Sequence, residues 1–236
     1  MSVEIKIPTI DGITLNTKNK YVKDDIAITI GIPRYRGEST VDITPTEDAL
    51  VTRTLTHYYN NRVTSIGENA FRQWSKIEEV EFPNVTIVEK LAFYGSTGLK
   101  NVIIPNVVSI GEQAFNGCTN LEKIKCDLVD TLGAQAIRAC KNLKYFYSSK
   151  LKSIISGCFA DCTNLVAIII DSDTICALNA TNAFNSTPII SGTGYIYVQD
   201  NLVEQYKSAT NWSTYADQIK PLSELPQEVK NELGME

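Results

Sequence analysis

Between residues 63 and 172 the chain repeats itself every 22 residues, in five frames (63–84, 85–106, 107–128, 129–150 and 151–172) that align without a gap. Ile66, Val88, Ile110, Leu132 and Ile154 form one apolar column. Ala70, Ala92, Ala114, Ala136 and Cys158 form a small-residue column, and beside it stand Phe71, Phe93, Phe115, Ile137 and Phe159. A fourth column is Ile77, Leu99, Leu121, Leu143 and Leu165, followed three residues on by Val80, Val102, Ile124, Phe146 and Ile168. A unit of this length cannot bury its own apolar side chains, so recurrence at a fixed period means that each unit covers the next. The sequence predicts a solenoid.

Within a unit, Leu121-x-x-Ile124-x-Cys126 alternates as a β-strand does, and strands repeated at one period must stack in parallel. Pro83-Asn84 and Pro105-Asn106 end the strand, because proline offers no N–H to a ladder and fixes φ. The small residue before each Phe allows a tight turn while the ring enters the core. A short extended return through Val-x-x-Ile-Gly completes the coil, giving three faces.

These residues resemble the BspA-like bacterial leucine-rich repeat, whose marks are Ile110-Gly111, Ala114-Phe115, Gly117-Cys118 and Leu121-x-x-Ile124, recurring in phase over about residues 54–170. The fourth unit departs from the pattern, with Ile137 in place of Phe and Tyr145-Phe146-Tyr147 in place of an aliphatic strand. The resemblance implies an α/β leucine-rich-repeat solenoid with a parallel β-sheet. It also implies protein or glycan recognition by a protein of a bacterial cell or virion surface, hence an extracellular, cell-surface or virion location.

A partial unit precedes the five, with Leu55, Tyr58 and Asn60 on the columns of Ile77, Val80 and Phe82, so the solenoid is expected over 51–222 with its first strand at 53–59 and seven strands in all. After Ser172 the frame slips by three residues, since the next Ala-Phe pair is Ala183-Phe184. Residues 195–222 form the cap that a solenoid's last layer needs. Tyr195-Ile196-Tyr197-Val198 is read as the last strand and Asp200 as the N-cap of a helix, with Leu202, Val203, Tyr206, Trp212, Tyr215 and Ile219 as the covering face. Residues 223–236 are a tail, with a short surface helix or a loose segment at 226–233. Residues 1–37 do not fit the repeat; their short β-prone runs predict a small β-rich module, joined by a linker at 38–50. Residues 12–30 resemble modules of tail-associated proteins of bacterial viruses. That resemblance implies the alternative of a structural virion component in which the solenoid is a spacer.

With 22 Lys and Arg against 27 Asp and Glu, the chain lacks the broad basic surface that binds a phosphate backbone, and no nucleic-acid partner is expected. No apolar run approaches the roughly 20 residues of a membrane span. The first residues alternate polar and apolar, unlike a signal peptide, so either export does not use that route or a leader has been removed. No phosphate loop, dinucleotide fingerprint, nucleophile elbow or zinc-protease motif is present, so no enzyme, cofactor or metal site is expected. His57 is read as a surface residue, and Glu78, Glu79 and Glu81 as a solvated face. Cys118, Cys140 and Cys162 share a column; parallel stacking points their Cβ vectors the same way, which opposes disulfides and predicts buried free thiols.

The strand residues flanking the inward Ile must face outward. They form one ladder of His57, Glu79, Asn101, Lys123, Tyr145 and Ala167, and another of Tyr59, Glu81, Ile103, Lys125, Tyr147 and Ile169, which Tyr195 and Tyr197 extend. Tyrosine joins a large rigid face to a polar tip and is enriched at binding hot spots. The candidate ligand-binding residues are therefore Tyr145, Tyr147, Ile169, Tyr195, Tyr197, Lys123 and Lys125. The competing expectation is an assembly surface covered by the N-terminal module or a second copy of the chain.

Overall fold

The computed structural model describes residues 56–235; the expected 1–37 module, the 38–50 linker and the start of the solenoid lie outside the described residues. From there the chain winds as a parallel solenoid in which longer and two-residue strands alternate. They are β1 (His57–Tyr59), β2 (Ser65–Ile66), β3 (Glu79–Glu81), β4 (Ile87–Val88), β5 (Asn101–Ile103), β6 (Ser109–Ile110) and β7 (Lys123–Lys125). The later layers contribute β8 (Thr131–Leu132), β9 (Tyr145–Ser148), β10 (Ser153–Ile154), β11 (Ala167–Ile170), β12 (Ala177–Leu178), β13 (Tyr195–Val198) and β14 (Ile219–Pro221). The short strands β2 to β12 form one six-stranded sheet on the return side. The longer strands form the opposite side, which divides into β1-β3-β5 and β7-β9-β11-β13-β14.

The third side, around each Ala-Phe pair, is also a ladder. Asn69, Phe71 and Gln73 donate their N–H groups to Lys90, Ala92 and Tyr94 of the next layer, at 3.3, 2.6 and 2.7 Å, while Ala70, Arg72 and Trp74 donate back three residues within their own turn. The alternation needs left-handed backbone at both ends of the triplet. The columns Asn69, Leu91, Gln113, Gln135, Gly157 and Gln73, Gly95, Gly117, Ala139, Asp161 all have φ between 55° and 78°. Between these turns and the two strand sides lies a continuous core. Phe71, Phe93 and Phe115 stack with centroids 5.0 Å apart and rings within 7° of parallel. Ile137 interrupts that column, and Phe159 resumes it against Phe184.

Two layers approach closely at Gly111. A Cβ on Gly111 would lie 2.6 Å from the Lys90 nitrogen and 2.8 Å from the Glu89 carbonyl carbon, so any side chain there forces two layers apart. The cysteine column has a polar role as well as an apolar one. Cys118, Cys140 and Cys162 donate Sγ–H to the carbonyls of Phe93, Phe115 and Ile137 at 3.0–3.1 Å. Ser96 makes the same bond to Phe71 one layer earlier. All six cysteines are free and buried.

The frame slip grows over the last turn. Ser153 faces Ala177, 24 residues on and two beyond the period; Phe159 donates to Ala183, 24 residues on against the 21 from Phe71 to Ala92, a shift of three; and Ala167 faces Tyr195, 28 residues on and six beyond the period. Among the described residues the expected seven strands on the long side become eight, because β14 pairs in parallel with β13, Ile196 opposite Ile219. Pro221 at its end has no N–H to offer a further strand.

The cap closes the return side through side chains. Cys176 N donates to Tyr206 Oη at 2.8 Å, Trp212 Nε1 donates to Cys176 O at 2.6 Å, and Asn211 Nδ2 donates to Leu178 O at 2.7 Å. Leu202, Val203, Tyr206, Trp212, Tyr215 and Ile219 are all buried, as the pattern predicts. The helical part is shorter than a single capped helix: a 3-10 turn at Asp200–Leu202, α1 (Val203–Ser208), and a kinked 3-10 stretch at Trp212–Gln218. Asp200 is not an N-cap. Its carboxylate accepts from Ser223 N at 3.0 Å, and that bond holds it below the usual carboxylate range.

Two outcomes follow. Gly111→Ala is expected to destabilise the protein by about 1–3 kcal/mol in urea unfolding, because backbone must move to admit the methyl. Burial also pushes the thiols of Cys118, Cys126, Cys140 and Cys158 up from their ordinary 9.0, and that of Cys176 to about 12. The folded state therefore keeps protons that the unfolded state releases above pH 9, so stability is full below that pH and declines as pH rises through and beyond it. Melting temperature in reductant should fall between about pH 8.5 and 10.5, and a thiol reagent at neutral pH should label the native protein slowly and all six cysteines after denaturation.

Candidate binding face

The outward ladders form as the alternation requires. His57 faces Glu79, which faces Asn101, and Tyr59 faces Glu81, which faces Ile103. Lys123 and Lys125 face Tyr145 and Tyr147; these face Ala167 and Ile169, which face Tyr195 and Tyr197. Lys220 extends the second ladder opposite Tyr197. All seven candidate residues thus share one face of the sheet β7-β9-β11-β13-β14. Parallel pairing in register brings this about, because it carries each outward position directly onto the next.

The two halves of the long side differ in surroundings. Near β1 to β5 the face is polar: Glu78 pairs with Lys100 at 3.0 Å, Asn101 Nδ2 donates to Glu79 at 3.3 Å, and Ile103 is 44% exposed. In the other half Tyr145 is 9%, Tyr147 7%, Tyr197 6% and Ile169 0% exposed. Among the described residues the cover is the C-terminal tail, whose helix α2 (Gln227–Leu233) lies across the strip, while the expected N-terminal module lies outside the described residues. Leu225, Val229 and Leu233 are buried against Tyr145, Tyr147, Ala167, Ile169 and Tyr197, with Tyr195, Leu222 and Met235 at the margin. Strands β9 and β11 are consequently buried on both faces.

Charge frames the apolar contact. Lys123 Nζ donates to Glu232 O at 2.5 Å and stands 3.4 Å from its carboxylate; Lys125 Nζ reaches Gly234 O at 3.5 Å. Both lysines meet the carbonyl end of α2, where the helix dipole favours cations. Lys125 also lies over the Tyr147 ring, 5.7 Å from its centroid, and Lys220 over Tyr195 at 5.8 Å. Tyr147 donates to Asp171 at 3.0 Å, and Asp171 also accepts from Gln199. Burial, with the nearby carboxylates of Asp171 and Asp127, raises the Tyr147 phenol above its ordinary value; burial, then Glu228 and Glu232, does the same to Tyr145.

Sequence reasoning missed Leu225, Val229 and Leu233 as partners of the strip. Their spacing was the available signal: three apolar residues four apart, starting beside Pro226, make one face of a helix. His57 is half-buried with Nδ1 2.9 Å from Thr56 Oγ1. Among the described residues no three His, Cys, Asp or Glu side chains group as metal ligands, and no helix is long and apolar enough to cross a membrane.

Ile103 and Ile169 occupy the same ladder and differ in cover, which gives a matched pair. Ile169→Ala is expected to cost about 2–4 kcal/mol in denaturant unfolding, as a buried truncation does. Ile103→Ala is expected to stay within about 0.5 kcal/mol.

Residues 55–166 match the BspA type leucine rich repeat region in six copies. No curated protein matches the chain by sequence. Among solved structures, the pneumococcal vaccine antigen PcpA is similar at 18% identity and a TM-score of 0.58, over 70% of this chain and 40% of that one. A leucine-rich repeat protein from Bacteroides ovatus matches at 18% identity and a TM-score of 0.47, over 76% of this chain and 56% of its own. The chain thus spans about two fifths to somewhat over half the length of these relatives, and the likeness to PcpA shows a shared fold. Over residues 55–166 the repeats are thus similar to the BspA type leucine rich repeat region.

Proposed function

We propose that the chain is a non-enzymatic recognition module that binds protein or glycan on a bacterial cell or virion surface. The contact residues in this reading are Tyr145, Tyr147, Ile169, Tyr195 and Tyr197, flanked by Lys123 and Lys125. One observation carries it: a strip of tyrosines and one isoleucine, set by parallel pairing on a rigid sheet, stands outside the solenoid core and has an amphipathic helix docked on it. Tyrosine suits a contact surface because it offers wide area at low entropic cost and a hydroxyl at the rim. Repeats of this family support a recognition role in general; the ligand class and the surface location are this proposal's own.

The test is retention on whole bacterial cells and on a glycan array, comparing the wild-type chain with Tyr145→Ser/Tyr147→Ser. At least a tenfold loss of retention, with an unchanged circular dichroism spectrum, is expected. Equal retention with the fold intact would remove the strip from the reading.

A further inference from the structure

The tail contact differs from the rest of the core in how it is held. Its apolar cluster is separate from the main one, because the sheet lies between them. Helix α2 has seven residues, too few to persist in water without packing. Its N-cap, Pro226, contributes no side-chain hydrogen bond. The polar ties at the rim are Lys123 to Glu232, Lys125 to Gly234 O, Lys220 to Glu224 at 4.0 Å, and Ser223 to Asp200, with the Lys123 and Glu232 side chains 42% and 55% exposed. A five-residue segment, 222–226, joins α2 to β14, and it runs between Pro221 and the proline at its own end. By contrast, the 22-residue layers beneath are tied to one another along three sides by backbone bonds, which on the long side thin to Glu122 N to Lys100 O at 3.4 Å between β5 and β7.

We propose that residues 222–235 are a removable occupant of the strand face, and that the ligand taking their place is an acidic amphipathic α-helix of another protein. It would present apolar residues at i, i+4 and i+8 to Tyr145, Tyr147, Ile169 and Tyr197, and carboxylates to Lys123 and Lys125. This inference rests on the recognition reading above and narrows its ligand to a helix. The docked tail supplies the pattern: Leu225, Val229 and Leu233 lie on the face, and Glu232 meets Lys123. The lysines supply the complementary charge, and they receive the carbonyl end of the helix, which sets its direction along the strip. A second copy of the chain is the weaker occupant, since a five-residue hinge reaches roughly 17 Å at full extension, so exchange would require two strand faces nearly in contact.

The full-length chain with Val229→Asp and Leu233→Asp uncovers the strip, and the probe is a fluorescent peptide with the sequence of residues 222–235. The peptide is expected to bind this variant at least ten times more tightly than wild type, where the tethered tail competes. Adding Lys123→Glu and Lys125→Glu should weaken that binding at least tenfold, and a peptide with Glu228→Lys and Glu232→Lys should recover it. Equal peptide affinity for wild type and the uncovered variant overturns the proposal, as does indifference to the lysine changes. Dimers of the uncovered variant that exclude the peptide also overturn it, in favour of a second copy. Should the variant fail to fold, hydrogen exchange on wild type decides: amides of Gln227–Leu233 are expected to exchange at least tenfold faster than those of Ala167–Ile170, and equal protection overturns the proposal. The cell-retention assay separates the two claims. Retention lost with Tyr145→Ser/Tyr147→Ser yet not raised by Val229→Asp/Leu233→Asp would keep the recognition face and discard the removable tail.

Discussion

Every layer of this molecule depends on hydrogen bonds from its backbone to the layers on either side. On the return side they form one parallel ladder and on the long-strand side two, bridged between β5 and β7 by Glu122 N to Lys100 O at 3.4 Å; on the third side they run from alternate residues of the turn, as from Phe71 to Ala92 and Phe93 to Ala114. The period of 22 is the length of chain that closes one such coil, and it brings each polar backbone group beside its counterpart. Most of the specific residues serve that spacing. Gly111 permits close approach, the columns through Gln113 and Gly117 take left-handed backbone, and Cys118, Cys140 and Cys162 donate to carbonyls of the preceding layer while filling the core. Surface ion pairs between layers, such as Lys90–Glu112 at 3.0 Å, are half exposed and add little to this.

A ladder that continues indefinitely must be stopped, and the end of this one is closed in two ways. On the return side Tyr206, Trp212 and Asn211 meet the last strand's backbone groups with their side chains. On the long-strand side an eighth strand is added that ends in Pro221. From there the tail turns back across the outer face of the sheet. Closing the end of the solenoid and covering the tyrosine strip are therefore successive acts of one segment, 195–235, joined at β14.

Much of the fold was legible in the sequence because each inference rested on five repeated observations. Register, the inward columns and both outward ladders follow once the period and the strand alternation are known. The C-terminal cover was not legible in the same way, since it involves one contact between the tail and strands that lie well apart from it in sequence, and no column repeats it. The apolar spacing of Leu225, Val229 and Leu233 indicates a helix face but not which surface receives it. Asp200 misled for a related reason: an acidic residue ahead of an apolar run has the form of an N-cap, yet the N–H it accepts from belongs to Ser223, in the segment that returns past it. The distribution of the inserted residues over three places in the last turn was likewise hidden, because one Ala-Phe pair marks one point of a coil and not its other two sides.

The account's central claim is that the tyrosine strip is a separate apolar face occupied by the chain's own C-terminal helix. Nuclear Overhauser contacts between the methyl groups of Leu225, Val229 and Leu233 and the rings of Tyr145, Tyr147 and Tyr197 test it most directly. The expected result is a set of such cross-peaks in the wild-type chain, with helical carbon shifts over Gln227–Leu233. Random-coil shifts in that segment, with no contact to any of the three rings, would contradict it.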